Sequence, residues 1–539
     1  MSEIRMSSKV AMEQFIANHL AQVEPLAREA SLAMWEMQTI GSEESQQRAV
    51  ELIAKHARLH SDSESYAFLK SVSPQTLESP ALVRQHTLLL NAFLANQMEE
   101  AVSNQIIALA VEIETDFNTF RSQVDGKFVS DNEIDELLGS VEVKESLREE
   151  AWKASKKVGA LVSERVLKLV RLRNREAKRL GFENYYAMGL HLQEIEESRL
   201  FALLDDLHEK SLPTWSAYKT ELNAKLAKRF NTTPDKIRPW HFQNKFFQEP
   251  DHSAEIDLDQ FFADKNLEEL TSKFFLNINL PVDDLLAKAD MYEREGKCQH
   301  AFCMDVDRKG DVRVLCNNRP NVRWMETTLH EFGHAVYDKF SDPNLPYLLR
   351  EPAHTMTTES IALFMGRLAK NPEWLVTYAG APTEEAERIG GEARKQVREH
   401  LLVFMHWCFV MANFERALYR DPEQDLNTLW WDLVEKYQGV ARPENRNLPD
   451  WAAKVHIATA PVYYHNYQLG EMLASQLLNH LTQVVLKGEA ASALVTSPKV
   501  GAWMRETLFL PGATRLWEDW LEHATGEKLN PSYFVKELG

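Results

Sequence analysis

Two histidines four residues apart, with a glutamate directly after the first, make His330-Glu331-Phe332-Gly333-His334 the most chemically specific stretch of this chain. On a helix, positions i and i+4 lie on one face, so His330 and His334 can present two imidazole nitrogens to a single ion. Glu331 is rotated by about 100° from its neighbour, placed to hold a water rather than to bind the metal. A zinc ion with a carboxylate base beside it is the arrangement that hydrolyses peptide bonds. With 18 His and 80 acidic residues among 539, chance would produce such a motif in roughly one chain in ten.

A catalytic zinc takes three protein ligands and keeps one position open. No Gly-x-x-His continuation follows His334, so Glu351, His354 and Glu359 are the candidates downstream. Glu351 precedes Pro352, which biases it toward extended backbone. Glu359 lies in the helical run TMTTESIALFMGRLAK with Met356 and Leu363 on its own face. A carboxylate on an apolar stripe is costly unless something compensates it, and a metal would do so. Glu359 is therefore the preferred ligand, and His354 reads as a rim histidine or a substrate contact. The reaction also needs donors for the oxyanion, usually a tyrosine or histidine opposite the metal. Residues 454–467, KVHIATAPVYYHNY, crowd Lys454, His456, Tyr463, Tyr464, His465 and Tyr467 together, with Tyr463 and Tyr467 on one helix face.

The elements that must position these groups are mostly helical. Residues 8–230 carry helical apolar spacing, well shown by 145–180, with breaks near Gly41-Ser42, Ser73-Pro74, Gly126 and Gly181. Residues 230–258 hold three prolines and several aromatics and read as a long ordered loop. One stretch departs from helix: 300–306 and 312–316 flank Asp307-Arg308-Lys309-Gly310, a hairpin turn signal just before the motif helix. A strand beside such a helix can hold an extended peptide by backbone pairing. The final third, 355–539, is again helical, with Trp430, Trp431 and Trp451 as packing aromatics.

Composition narrows the class. Only 20 Gly and 21 Pro in 539 residues favour long helices over turn-rich β architecture. A net charge of −19 disfavours nucleic acid and anionic membrane and mildly favours cationic substrates such as basic peptides. Cys298, Cys303, Cys316 and Cys408 are too few for a disulfide scaffold and form no C-x2-C pair. The N-terminal MSEIRMSSKVAMEQFIANHL shows no apolar h-region, and no window approaches 18 uninterrupted apolar residues. These features set the expectation of a cytoplasmic protein without a membrane span.

Together these residues resemble the HExxH-plus-glutamate zinc peptidases related to angiotensin-converting enzyme, with a weaker likeness to thimet-type oligopeptidases and oligoendopeptidases. His300-Ala301, Asp305, Asp311 and Arg313 stand at the family's spacing ahead of the motif, and Glu359 falls where its third zinc ligand lies. Lys454 and His456 match a Lys-x-His pair, and Tyr463 matches the tyrosine seven residues after that histidine. The resemblance implies that Lys454 and Tyr463, with Gln248 from the aromatic loop, hold a peptide's C-terminal carboxylate. It also implies that His456 supports the transition state and that His300 and Ala301 bind peptide backbone. The family's oxyanion tyrosine would fall on Asn466, so Tyr467 or Tyr464 takes that role here. A family aspartate is replaced by Leu363.

The expected protein is a single mostly α, two-lobed peptidase of the zincin type with a deep cleft and a small hairpin beside the metal helix. Its zinc core spans about 298–480 and its N-terminal helical lobe about 8–230. It would bind one Zn²⁺ and act on short peptides as a peptidyl-dipeptidase. An oligoendopeptidase or mono-carboxypeptidase using the same zinc is the alternative, and a non-catalytic helical peptide-binding protein a remote one.

Overall fold

Several helices begin at a polar residue that caps them. Ser42 accepts the Ser45 N–H at the start of Glu43–Leu59, Ser130 and Glu133 complete a capping box on Asp131–Gly139, and Asn184 opens Tyr185–Leu192. The computed structural model describes residues 2–251 and 257–539, with side chains from residue 8 onward. Residues 252–256 of the aromatic loop lie outside the described residues. The chain is mostly α, as expected, with two small two-stranded sheets among the described residues.

The chain forms two compact units, each assembled from separate segments. One comprises Met1–Gln97, Ile256–Arg394 and Gly470–Tyr533, the other Met98–Glu255, Lys395–Leu469 and Phe534–Gly539. The segment 8–230 is thus shared between both units, and so is 298–480. Helices Thr383–Arg420 and Tyr464–His480 carry the backbone from one unit into the other. Thr383–Arg420 also has a window long and apolar enough to cross a membrane, and 78% of that window is buried inside the protein.

In the first unit, Met12, Ile16, Leu69, Leu89 and Phe93 make an apolar cluster under the N-terminal helices. The expected hairpin is present but shorter than its sequence pattern: Phe302–Asp305 pairs antiparallel with Val312–Leu315, Cys303 opposite Val314. Asp305 accepts the Arg308 N–H at 2.8 Å, and Arg308 and Gly310 take positive φ, which builds the turn. His300 and Ala301 precede the strand rather than lying in it.

The second unit contains a hairpin that periodicity alone marks only as a helix break. Ser122–Val124 pairs with Lys127–Val129 around Asp125-Gly126, both at positive φ. Asp-Gly is the signal for such a turn, but its strands of three residues are too short to show alternation. The aromatic loop is held through its backbone carbonyls. Buried Arg148 donates to Trp240 O (2.9 Å) and Phe242 O (3.0 Å), Trp152 to Lys245 O (3.0 Å), and Gln438 to Phe247 O (2.7 Å). An irregular segment without a ladder needs such partners for its polar groups.

Candidate metal centre

The motif lies on helix Val322–Phe340, capped by the Asn321 side chain on Trp324 N–H, with Met325, Leu329, Phe332 and Val336 buried beneath it. The His330 and His334 rings meet edge-on with centroids 5.0 Å apart. Helix Thr355–Arg367 crosses beside them and supplies Glu359, whose oxygens lie 3.8 Å from His330 Nε2 and 3.5 Å from His334 Nε2. These three residues are a group whose ligand atoms all lie within 4.8 Å of one another. A tetrahedral ion with bonds of about 2.0–2.2 Å needs separations near 3.3 Å, which small side-chain rotations provide. Two imidazoles and a carboxylate are also the donor set zinc favours. His334 Nδ1 lies 2.8 Å from Thr358 Oγ1, so donating its hydrogen there leaves Nε2 as a ligand.

The other two candidates for third ligand are engaged elsewhere. Glu351 pairs with Arg308. His354 is the N-cap of Thr355–Arg367, its Nδ1 accepting Met356 N–H at 3.0 Å. Its expected substrate contact is therefore secondary to a capping role, although its side chain does border the cavity described below.

Electrostatics follow burial. Glu331 is 7% exposed, and burial pushes its pKa up to about 7, against the pull of His334 and the Cys303 amide. Burial lowers His330 to about 4. For His334 burial is outweighed by Glu359, Glu331 and Asp338, and its pKa rises; for Glu359 burial is outweighed by the two histidines, and its pKa falls. Glu331 and His334 open into a cavity of about 780 Å³ that Ala301, Cys303, Asp305 and Asp338 also line. His300 is exposed nearby in sequence, outside that lining.

The second unit brings together the other predicted residues. Lys454 Nζ donates to Gln248 Oε1 at 2.7 Å across 206 residues of sequence, and both line a cavity of about 800 Å³ with His456. Burial lowers Lys454 to about 8 and His456 to about 4, and His456 Nδ1 is buried without a partner among the described residues. Tyr463 is 37% exposed and meets Tyr467 edge-on at 5.2 Å. Tyr464 is buried, with its hydroxyl accepting Trp407 Nε1–H at 2.9 Å. Asn466, at the family's oxyanion position, is buried and donates to Gln193 Oε1 at 2.7 Å.

Some supporting residues were invisible to sequence reasoning. Thr358 reads as an ordinary helical residue. Glu415 and Gln193 reach the Val462 backbone from distant segments, the first accepting its N–H at 2.7 Å and the second donating to its carbonyl at 2.8 Å. No local pattern marks either one.

Residues 6–239 and 249–534 match the family described as angiotensin-converting enzyme. Among curated relatives, an inactive angiotensin-converting enzyme-related protein of Caenorhabditis elegans is 23% identical over 53% of this chain and 33% of its own length. Carboxypeptidase 1 of Bacillus subtilis is 25% identical over 44% of this chain and 52% of its own. The angiotensin-converting enzyme of Sus scrofa is 24% identical over 70% of this chain and 31% of its own. The chain thus spans between about a third and a half of the length of these relatives.

Proposed function

The chain belongs to the angiotensin-converting enzyme family, and from that premise we propose that it is a zinc peptidase that releases dipeptides from the free C-terminus of short peptides. The observation that carries the reading is the His330–His334–Glu359 group with Glu331 one residue from its first member. Zinc, when bound there, would act as Lewis acid toward water and the scissile carbonyl. Glu331, lifted to about 7 by burial, accepts a proton from the attacking water and returns it to the leaving amine. Thr358 holds the His334 ring through Nδ1, and by accepting its hydrogen would leave Nε2 for the metal.

For the carboxylate end, Lys454 and Gln248 form a preassembled pair, and Tyr463 keeps an exposed face. These are the groups the family resemblance assigns to a terminal carboxylate. His456 and Tyr467 are assigned the oxyanion. The Tyr464 hydroxyl is bonded to Trp407, and Tyr467 packs edge-on against both Tyr463 and Tyr464. Each such donor is worth roughly 3 kcal/mol in measured oxyanion holes.

Two relatives favour other readings. The Bacillus subtilis protein is named a carboxypeptidase, which suits single-residue release. The nematode relative is named inactive, so catalysis rests on the residues present in this chain rather than on membership. Product mass spectrometry on one peptide with a free and an amidated C-terminus tests the reading, alongside zinc analysis. The expected result is dipeptide release, lost on amidation, from a protein with one zinc. Cleavage indifferent to amidation would establish an endopeptidase, single-residue release a mono-carboxypeptidase, and absence of zinc and of cleavage a binding protein.

A further inference from the structure

The cavity of the second unit is lined by a buried lysine that the terminal-carboxylate reading leaves unused. Its lysines are Lys454, Lys245 and Lys156. Lys245 is compensated by Asp131 (2.6 Å) and Asp135 (3.1 Å). Nearby Arg446 is compensated by Asp450 at 2.6 Å. Lys454 bonds the neutral Gln248 and is the cation assigned to the peptide's terminal carboxylate. Lys156 makes no salt bridge among the described residues, and the opposite charge acting on it most is the Asp450 carboxylate that Arg446 already holds. Lys156 is 4% exposed, and its ammonium sits 3.1 Å from the Phe246 ring centroid and 5.4 Å from that of Trp152.

We propose that Lys156 is a specificity-determining residue that receives the side-chain carboxylate of a C-terminal Glu or Asp, making acidic C-terminal residues preferred. The inference rests on the carboxylate reading of Lys454 given above. Phe246 supplies the geometry. Lys454 Nζ lies 5.4 Å from the same ring centroid, so the two ammonium nitrogens are at most 8.5 Å apart, the sum of their distances to that point. Charge-assisted hydrogen bonds of about 2.8 Å at each end allow one dicarboxylate residue to bridge such a gap. The cavity of about 800 Å³ has room for a side chain beyond the terminal carboxylate. Aromatic faces hold a cation but do not neutralise it. Burial accordingly pulls the Lys156 pKa well down, a penalty that an arriving carboxylate relieves. Glu114, Asp131, Asp135 and Glu249 also line the cavity, as does Arg121; Asp131 and Asp135 are matched by Lys245.

The test is calorimetric titration of the Glu331→Gln chain with two dipeptides, Ala-Glu and Ala-Gln, which differ in charge but scarcely in shape. We expect Ala-Glu to bind ~10-fold more tightly, the value of one partly desolvated charge pair. Lys156→Met should reduce Ala-Glu affinity to that of Ala-Gln, and Lys156→Arg should keep the advantage. Equal affinities in the Lys156-containing chain, or an advantage that survives Lys156→Met, would overturn the inference while leaving the Lys454 reading intact. Binding of neither dipeptide would overturn the Lys454 reading itself, and this inference with it.

Discussion

Gly333, within the His-Glu-x-x-His motif, lies against the backbone of Ala362: a Cβ placed on it would come within 2.8 Å of the Ala362 Cα. This contact sets how closely Val322–Phe340 and Thr355–Arg367 cross. Glu359, one turn before Ala362, reaches the histidines because the helices touch here without side chains between them. Gly366 makes a second close approach, where an added Cβ would lie 3.3 Å from the His330 Cβ. Gly333→Ala should therefore cost about 1–3 kcal/mol through overpacking and weaken zinc binding by more than ~10-fold. Gly391→Ala, in the helix Thr383–Arg420 with nothing within 4 Å, should be neutral or stabilising by up to ~1 kcal/mol. Paired melting curves and zinc titrations check both.

Glu331→Gln removes the proton acceptor and keeps the shape. Steady-state kinetics should show kcat lowered by about 10²–10⁴, with one zinc per chain retained by metal analysis. Loss of zinc in this variant would mean that Glu331 is a ligand rather than a base.

Thr358→Val deletes the hydrogen-bond partner of His334 Nδ1 without a change in volume. Zinc affinity, read by competition with a chelator, should fall about 10–100-fold. An unchanged affinity would show that His334 is oriented by packing alone.

Val462 takes φ +55, an unfavourable region for a β-branched residue, directly before the tyrosine cluster. Its side chain lies where a Cβ on Gly189 would come within 2.9 Å. Gly189→Ala should destabilise the protein by ~1–3 kcal/mol, and Val462→Ala in the same chain should recover part of the loss. Chemical denaturation of the two single variants and the double variant measures this coupling.

Glu415, which accepts the Val462 N–H at 2.7 Å, has its pKa raised by burial from 4.5 to about 7. A raised carboxyl pKa means that the folded state holds the extra proton. Its contribution is complete below the unfolded value of 4.5 and is lost as pH rises through about 7. The swing for this group is on the order of 3 kcal/mol. Glu415→Gln should flatten it, gaining stability relative to the parent at pH 8 compared with pH 4.5. An identical pH slope in both proteins would contradict the assignment.

Much of the candidate metal centre was legible because it is local. A helical repeat puts His330 and His334 on one face and turns Glu331 aside, whatever surrounds them. The apolar stripe around Glu359 marked a carboxylate in need of a partner. Asp307-Arg308-Lys309-Gly310 specified a turn through short-range hydrogen bonds. The hairpin at 122–129 was missed because three-residue strands carry too little alternation to register, although its Asp-Gly turn was in plain view.

The amino-acid sequence by itself determined that His330 and His334 share a face with Glu331 turned aside, and the helical class of the chain, since both depend on periodicity within single segments. Only the tertiary structure brought Glu359, rather than Glu351 or His354, beside the two histidines. Glu351 is turned to Arg308 and His354 caps a helix; Glu359 arrives through the Gly333–Ala362 crossing. It likewise joined Lys454 to Gln248 and set Lys156 on the face of Phe246. Periodicity states which residues share a face. How closely two faces approach depends on the volumes packed between them, and those volumes come from residues far apart in the chain.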